Sequence, residues 1–137
     1  MRLKFLAILA LAATPLFANP ALFSRYESVR QGLLKNSLKD VHTNAKKLAA
    51  EATSAKNEEI AKAADAVAKS ADLTIAREAF GTLSDEMIKI RNASEGADRP
   101  GIAYCPMAKK SWLQSKDVAI ANPYEPAMKE CGMWKAR

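Results

Sequence analysis

Only two cysteines occur in the chain, and each has a methionine close by: Cys105-Pro106-Met107 and Met128-Lys129-Glu130-Cys131. Thiolate and thioether sulfurs are soft donors, and soft donors select soft ions, Cu(I) above all. If residues 105–107 run extended, Cys105 and Met107 face the same side. Pro106 biases Cys105 toward that geometry. A short helix over residues 125–131, opened near Pro126, would place Met128 and Cys131 at i and i+3 on one face. The four sulfurs, Cys105, Met107, Met128 and Cys131, would then form a cage suited to Cu(I) or Ag(I). Such a set is poor for Mg²⁺ or Ca²⁺, which take oxygen. Zn²⁺ fits less well, because methionine is not a usual zinc ligand and His42 is the one histidine present.

The same cysteines have a second reading. Arg2 and Lys4 precede the apolar run Phe5–Ala13, and Pro15 and small residues lead to Ala18. That is the layout of a secretory signal peptide. The apolar run is shorter than the about 20 residues a bilayer span needs. Cleavage is expected after Ala18, with a cut after Ala21 as the alternative, because Leu16 is not small. Residues 1–18 are therefore read as a signal peptide. The mature chain is expected to be periplasmic or secreted, with no stable membrane span. Export would put Cys105 and Cys131 in an oxidising compartment, where two cysteines default to a disulfide. On chain-entropy grounds that bond would contribute roughly 3–4 kcal/mol. From residue types and spacing, a soft-metal site and a simple disulfide both stand.

The elements that must position the sulfurs read mostly as helices. Pro20 starts the first, with Leu22, Phe23, Tyr26, Val29, Leu33 and Leu34 on one face. Asn36-Ser37 offers a break, and Ser37 with Asp40 resembles a capping box. Without that cap, the run through Leu38, Val41, Ala45, Leu48 and Ala52 would fuse with the first into one long helix. Asn57 can cap a third helix, with Glu58 and Glu59 where the dipole favours them. Asp72 can cap a fourth, from about Leu73 to Arg91, in which Gly81 weakens the middle or admits a close neighbour. Residues 93–101 read as a turn-rich linker. Beyond it, Pro106, Pro123 and Pro126 forbid one long helix. The fold class expected is all-α. An antiparallel bundle of three to four helices over residues 19–92 would carry a mostly irregular C-terminal lobe, residues 102–137, within the same single domain.

Charge and motif content exclude several functions. The net charge is +6, modestly basic, with acids and bases interspersed and no aromatic-lined basic stripe. A nucleic-acid surface is therefore not indicated. There is no GxSxG and no phosphate-binding glycine loop, and no histidine near either cysteine, so an enzyme is not expected. His42 reads as a boundary histidine of the second run. Met87 reads as core, and Met133 as an alternative thioether.

Four short motifs occur in order: Tyr104-Cys105-Pro106-Met107-Ala108, Trp112-Leu113-Gln114, Ile120-Ala121-Asn122-Pro123-Tyr124, and Met128-Lys129-Glu130-Cys131-Gly132. Together they resemble a domain of unknown function found alone in exported bacterial proteins. The same domain is fused to periplasmic adaptor subunits of RND-type copper and silver efflux pumps. The resemblance is specific over residues 104–132 and only compositional over residues 21–91. It implies that Cys105, Met107, Met128 and Cys131 are the metal-facing sulfurs, with Cu(I) or Ag(I) as the ion. It further implies a periplasmic efflux adaptor or copper-transfer protein as partner. Trp112, Asn122, Pro123 and Tyr124 would shape the lobe. Glu125-Pro126 departs from the tyrosine and glycine usual after the Asn-Pro-Tyr, which bears on the local turn rather than on the sulfurs.

Overall fold

Helix breaks fall where a short polar side chain can cap. A computed structural model describes residues 19–137; the signal peptide read at residues 1–18 lies outside the described residues. Helix α1 spans Pro20–Leu34. Proline suits that first position because its missing N–H would be unpaired there anyway. Asn19 Oδ1 accepts the Leu22 N–H at 3.2 Å. Ser37 Oγ accepts the Asp40 N–H at 3.2 Å and opens α2, Leu38–Ser54. Asn57 opens α3, Glu58–Ala68, and Asp72 opens α4, Leu73–Ala93, through the N–H groups of Ile60 and Ile75.

The break at Asn36-Ser37 is real, so the first two runs do not fuse. Asn36 takes a left-handed φ of 54°, and the Ser37 N–H returns to the Gly32 carbonyl at 3.0 Å. Lys56 (φ 56°) and Asn57, whose N–H reaches the Ala52 carbonyl at 2.9 Å, repeat the device. Each is a helix-ending turn in which the residue that closes one helix also caps the next. Successive helices therefore reverse tightly and pack α1 on α2, α2 on α3 and α3 on α4. Their buried faces follow the helical spacing: Tyr26, Val29 and Leu33; Val41, Ala45 and Leu48; Ile60, Ala64 and Val67; Phe80, Leu83 and Met87. A Cβ on Gly32 would stand 2.9 Å from the Val41 backbone nitrogen, which marks how closely α1 and α2 approach.

The chain is not all-α. Its C-terminal lobe, expected to be mostly irregular, forms a three-stranded antiparallel sheet, so the fold is mixed α and β. The strands are β1 (Gly101–Cys105), β2 (Lys110–Gln114) and β3 (Met133–Ala136), in the order β2-β1-β3. The reason for the misreading is physical. Central strand β1 buries Ile102, Ala103 and Cys105 alike, and a strand covered on both faces loses the period-two alternation that marks a strand in sequence. Its partner β3 comes from the far end of the chain.

Side-chain hydroxyls close one edge of this sheet. The outer side of β2 presents the Leu113 N–H, which donates to Tyr26 Oη at 3.1 Å, and the Ser111 carbonyl, which accepts from Tyr124 O–H at 2.7 Å. Ser84 Oγ on α4 lies 2.7 Å from Tyr26 Oη and 3.0 Å from Tyr124 Oη. Backbone groups that would otherwise be buried without partners are thus satisfied by phenols from α1 and from the segment after β2. Tyr26 stacks on Phe80, and Trp112 meets Tyr124 edge to face with ring centroids 6.0 Å apart.

Candidate functional site

Cys105 is the last residue of β1. By strand alternation it shares a face with Ala103, which pairs with Trp112 on β2 and Trp134 on β3. Chain direction reverses immediately afterwards, through residues 106–109, with Lys109 at a left-handed φ of 53°. Cys105-Pro106-Met107 is therefore not an extended run. The turn instead aims the Ala108 N–H at Cys105 Sγ, 3.3 Å away.

Cys131 arrives from the other side, just before β3. Residues 125–131 do not form the expected short helix. They make two successive turns, in which Met128 N–H meets the Glu125 carbonyl and Cys131 N–H meets the Met128 carbonyl, each at 3.0 Å. One buried residue organises them. The Asn122 N–H donates to the Lys129 carbonyl at 2.7 Å, its side-chain amide donates to the Cys131 carbonyl at 2.8 Å, and its Oδ1 accepts the Tyr124 N–H at 2.8 Å. The backbone of the segment carrying Asn122 is tied to the helices at two carbonyls: Arg30 donates to that of Ala121 at 2.6 Å and Arg77 to that of Pro123 at 3.1 Å. Gln114 braces it further, accepting from Trp112 Nε1 at 2.9 Å and from the Ala121 N–H at 3.0 Å.

The outcome is two unbonded thiols with their sulfurs 3.7 Å apart. Cys105 is wholly buried and Cys131 is partly exposed. Burial pushes the Cys105 thiol up. The Ala108 N–H, the Asn122 side chain, the Cys131 thiol and the Met107 N–H together outweigh it and hold the group below the ordinary thiol range. Cys131 is pushed up, first by its hydrogen bond with Cys105, then by burial and by the nearby negative charge of Cys105 and Glu125. The pair thus shares a proton unequally, with the anion favoured on the buried sulfur.

Of the four sulfurs singled out, the structure brings the two thiols together. Met107 (59% exposed) follows Cys105 by two residues and Met128 (44% exposed) precedes Cys131 by three, and both present their side chains to solvent. Met133 pairs with Tyr104, on the opposite face of β1 from Cys105. His42 lies on α2, where its Nε2 contacts the Ser70 carbonyl at 2.9 Å, closing the turn between α3 and α4. Among the described residues, no three His, Cys, Asp or Glu side chains are grouped to hold a metal. The donor set brought together is the dithiol. Metal–thiolate bonds of about 2.3 Å separate two sulfurs on one tetrahedral ion by about 3.8 Å. The observed spacing fits that bite, and two thiolates suit a soft ion. Three contributors had no separate sequence signal: the Ala108 N–H, because backbone donors carry none, and Gln114 and Arg30, because their partners are distant in the chain.

Among the described residues, no helix is long and apolar enough to cross a membrane. Compared with protein-family models, curated proteins and solved structures, the chain matches none in any of the three.

Proposed function

We propose that the protein binds Cu(I) or Ag(I) through the thiolates of Cys105 and Cys131 and holds it or passes it on outside the cytoplasm, in copper efflux or homeostasis. The observation that carries this reading is the unbonded thiol pair at 3.7 Å, kept in place by backbone and amide hydrogen bonds rather than by a bond between the sulfurs. A dithiol with one member already favouring its anion gives up fewer protons when a metal binds. Met107 and Met128, exposed and near the two cysteines in sequence, would supply weak thioether donors through which an ion can be exchanged with a partner. The motif resemblance over residues 104–132 points to the same chemistry and to a periplasmic efflux adaptor as that partner. Asn19 caps α1, so a signal cut after Ala18 would leave the first helix whole, whereas one after Ala21 would remove its cap.

The test is a competition for Cu(I) between the reduced protein and a chromophoric chelator. Wild type is expected to take the ion and the double variant Cys105→Ala, Cys131→Ala to leave it with the chelator. Equal, poor competition by both sinks the reading. A second reading, an interaction module pinned by a permanent Cys105–Cys131 disulfide, draws on the same proximity. It predicts a large loss of thermal stability on reduction and no effect of metal.

A further inference from the structure

We infer that the Cys105–Cys131 pair is also a reversible thiol–disulfide exchange site, in which Cys131 reacts with disulfides and thiols from solution and Cys105 completes the exchange. This goes beyond the copper reading and does not depend on it.

Three observations carry the inference. First, accessibility divides the work. Cys105 is wholly buried and Cys131 is partly exposed, so an external reagent can reach only the Cys131 sulfur. Second, the sulfurs lie 3.7 Å apart, and a disulfide needs about 2.05 Å. At that distance the sulfurs are already in van der Waals contact. Third, the frame does not need the bond. Asn122 fixes the Cys131 carbonyl, while Arg30 and Arg77 anchor the neighbouring carbonyls to α1 and α4. A lobe framed by these hydrogen bonds keeps its shape when the disulfide is reduced, and so can cycle.

The chemistry balances with an external disulfide, RS–SR, as oxidant. The Cys131 thiolate attacks one of its sulfurs, the S–S bond breaks, and RS⁻ leaves and takes up the proton Cys131 released. A mixed disulfide now stands on Cys131. The Cys105 thiolate attacks Cys131 Sγ, the mixed disulfide breaks, and the second RS⁻ leaves with the proton from Cys105. Two protein thiols have lost two electrons, and one external disulfide has become two thiols. In reverse, a thiolate attacks the exposed Cys131 sulfur and Cys105 departs as the anion, with the Ala108 N–H directed at the sulfur that takes the charge.

The test uses the full chain, metal-free, equilibrated in mixtures of reduced and oxidised glutathione, then acid-quenched, alkylated and weighed by mass spectrometry. Being metal-free, it stands or falls separately from the chelator competition. Wild type is expected to pass directly between dithiol and internal disulfide, with both cysteines changing together and no glutathione adduct accumulating. Cys105→Ser is expected to trap glutathione on Cys131. In Cys131→Ser, Cys105 is expected to react more than about tenfold slower than Cys131 does in Cys105→Ser, because access to the sulfur sets the rate. A wild-type chain that stays dithiol in excess oxidised glutathione, stays bonded in excess reduced glutathione, or accumulates the adduct overturns the inference. Those wild-type outcomes decide it even if a variant fails to fold.

Discussion

The side-chain amide of Asn122 donates to the carbonyl of Cys131 at 2.8 Å, so a single buried side chain determines where the second thiol stands relative to the first. Asn122→Ala leaves both that carbonyl and the Tyr124 N–H without their partner. Each buried orphan costs about 1–3 kcal/mol. The reduced variant should unfold at distinctly lower denaturant than wild type, and its Cys105 thiol should titrate higher for want of the amide. An unchanged midpoint and an unchanged titration would remove Asn122 from the account.

The unequal thiols give the reduced chain a stability maximum in pH. Cys105 is held below the ordinary thiol value in the folded state. Between those two values the unfolded chain binds more protons, and stability rises with pH. Cys131 is held above the ordinary value. Past that value the folded chain is the one retaining the proton, and stability falls as pH rises toward the folded Cys131 value. Denaturant midpoints of the reduced, metal-free protein should therefore peak near the ordinary thiol pKa of about 8.5. The peak should vanish in Cys105→Ser, Cys131→Ser. A monotonic wild-type curve would contradict the assigned directions.

Replacing either exposed thioether separates ligand from packing. Met107→Leu and Met128→Leu keep apolar bulk in exposed side chains, so each should change stability by less than about 0.5 kcal/mol. Loss of one weak donor should reduce Cu(I) affinity roughly tenfold, about 1.4 kcal/mol, in the chelator competition. If affinity is untouched, the ion is held by thiolates alone.

Two glycines should respond oppositely to alanine. At Gly132, with φ +158°, a Cβ would stand 2.8 Å from Trp112 Cη2 and 3.1 Å from Ile120 Cγ2. Gly132→Ala should cost about 1–3 kcal/mol, displace Cys131 beside it and shift the tryptophan emission. At Gly81 the nearest atoms are Lys110 Cδ and Cε at 3.1 Å, the yielding part of a flexible side chain. There the helix gains up to about 1 kcal/mol from alanine. Thermal melts of the two variants check both signs at once.

Helix caps were legible because their chemistry is local. Ser37, Asn57 and Asp72 each sit three residues before the N–H they accept, and the apolar faces repeat at helical steps. The pairing of β1 with β3 was not legible, because it joins distant residues. Ile102 pairs with Ala136, a match that no short window of sequence contains. The sulfur pair stood out by residue type, and its local geometry was misread. A proline after Cys105 suggested an extended run, whereas residues 106–109 turn back on it. A proline at 126 suggested a helix start, whereas hydrogen bonds to Asn122 and Glu125 fold that segment into turns.

The hydroxyl seal along β2 gives the molecule an electrostatic division. Burial raises the pKa of both Tyr26 and Tyr124 well past that of free phenol, so these groups keep their protons throughout the range in which the thiols exchange theirs. The seam joining sheet to helices therefore keeps its protonation across the pH range that titrates the sulfurs. Chemical change at Cys105 and Cys131 can come and go while the phenols that attach the lobe to the helices keep their protons.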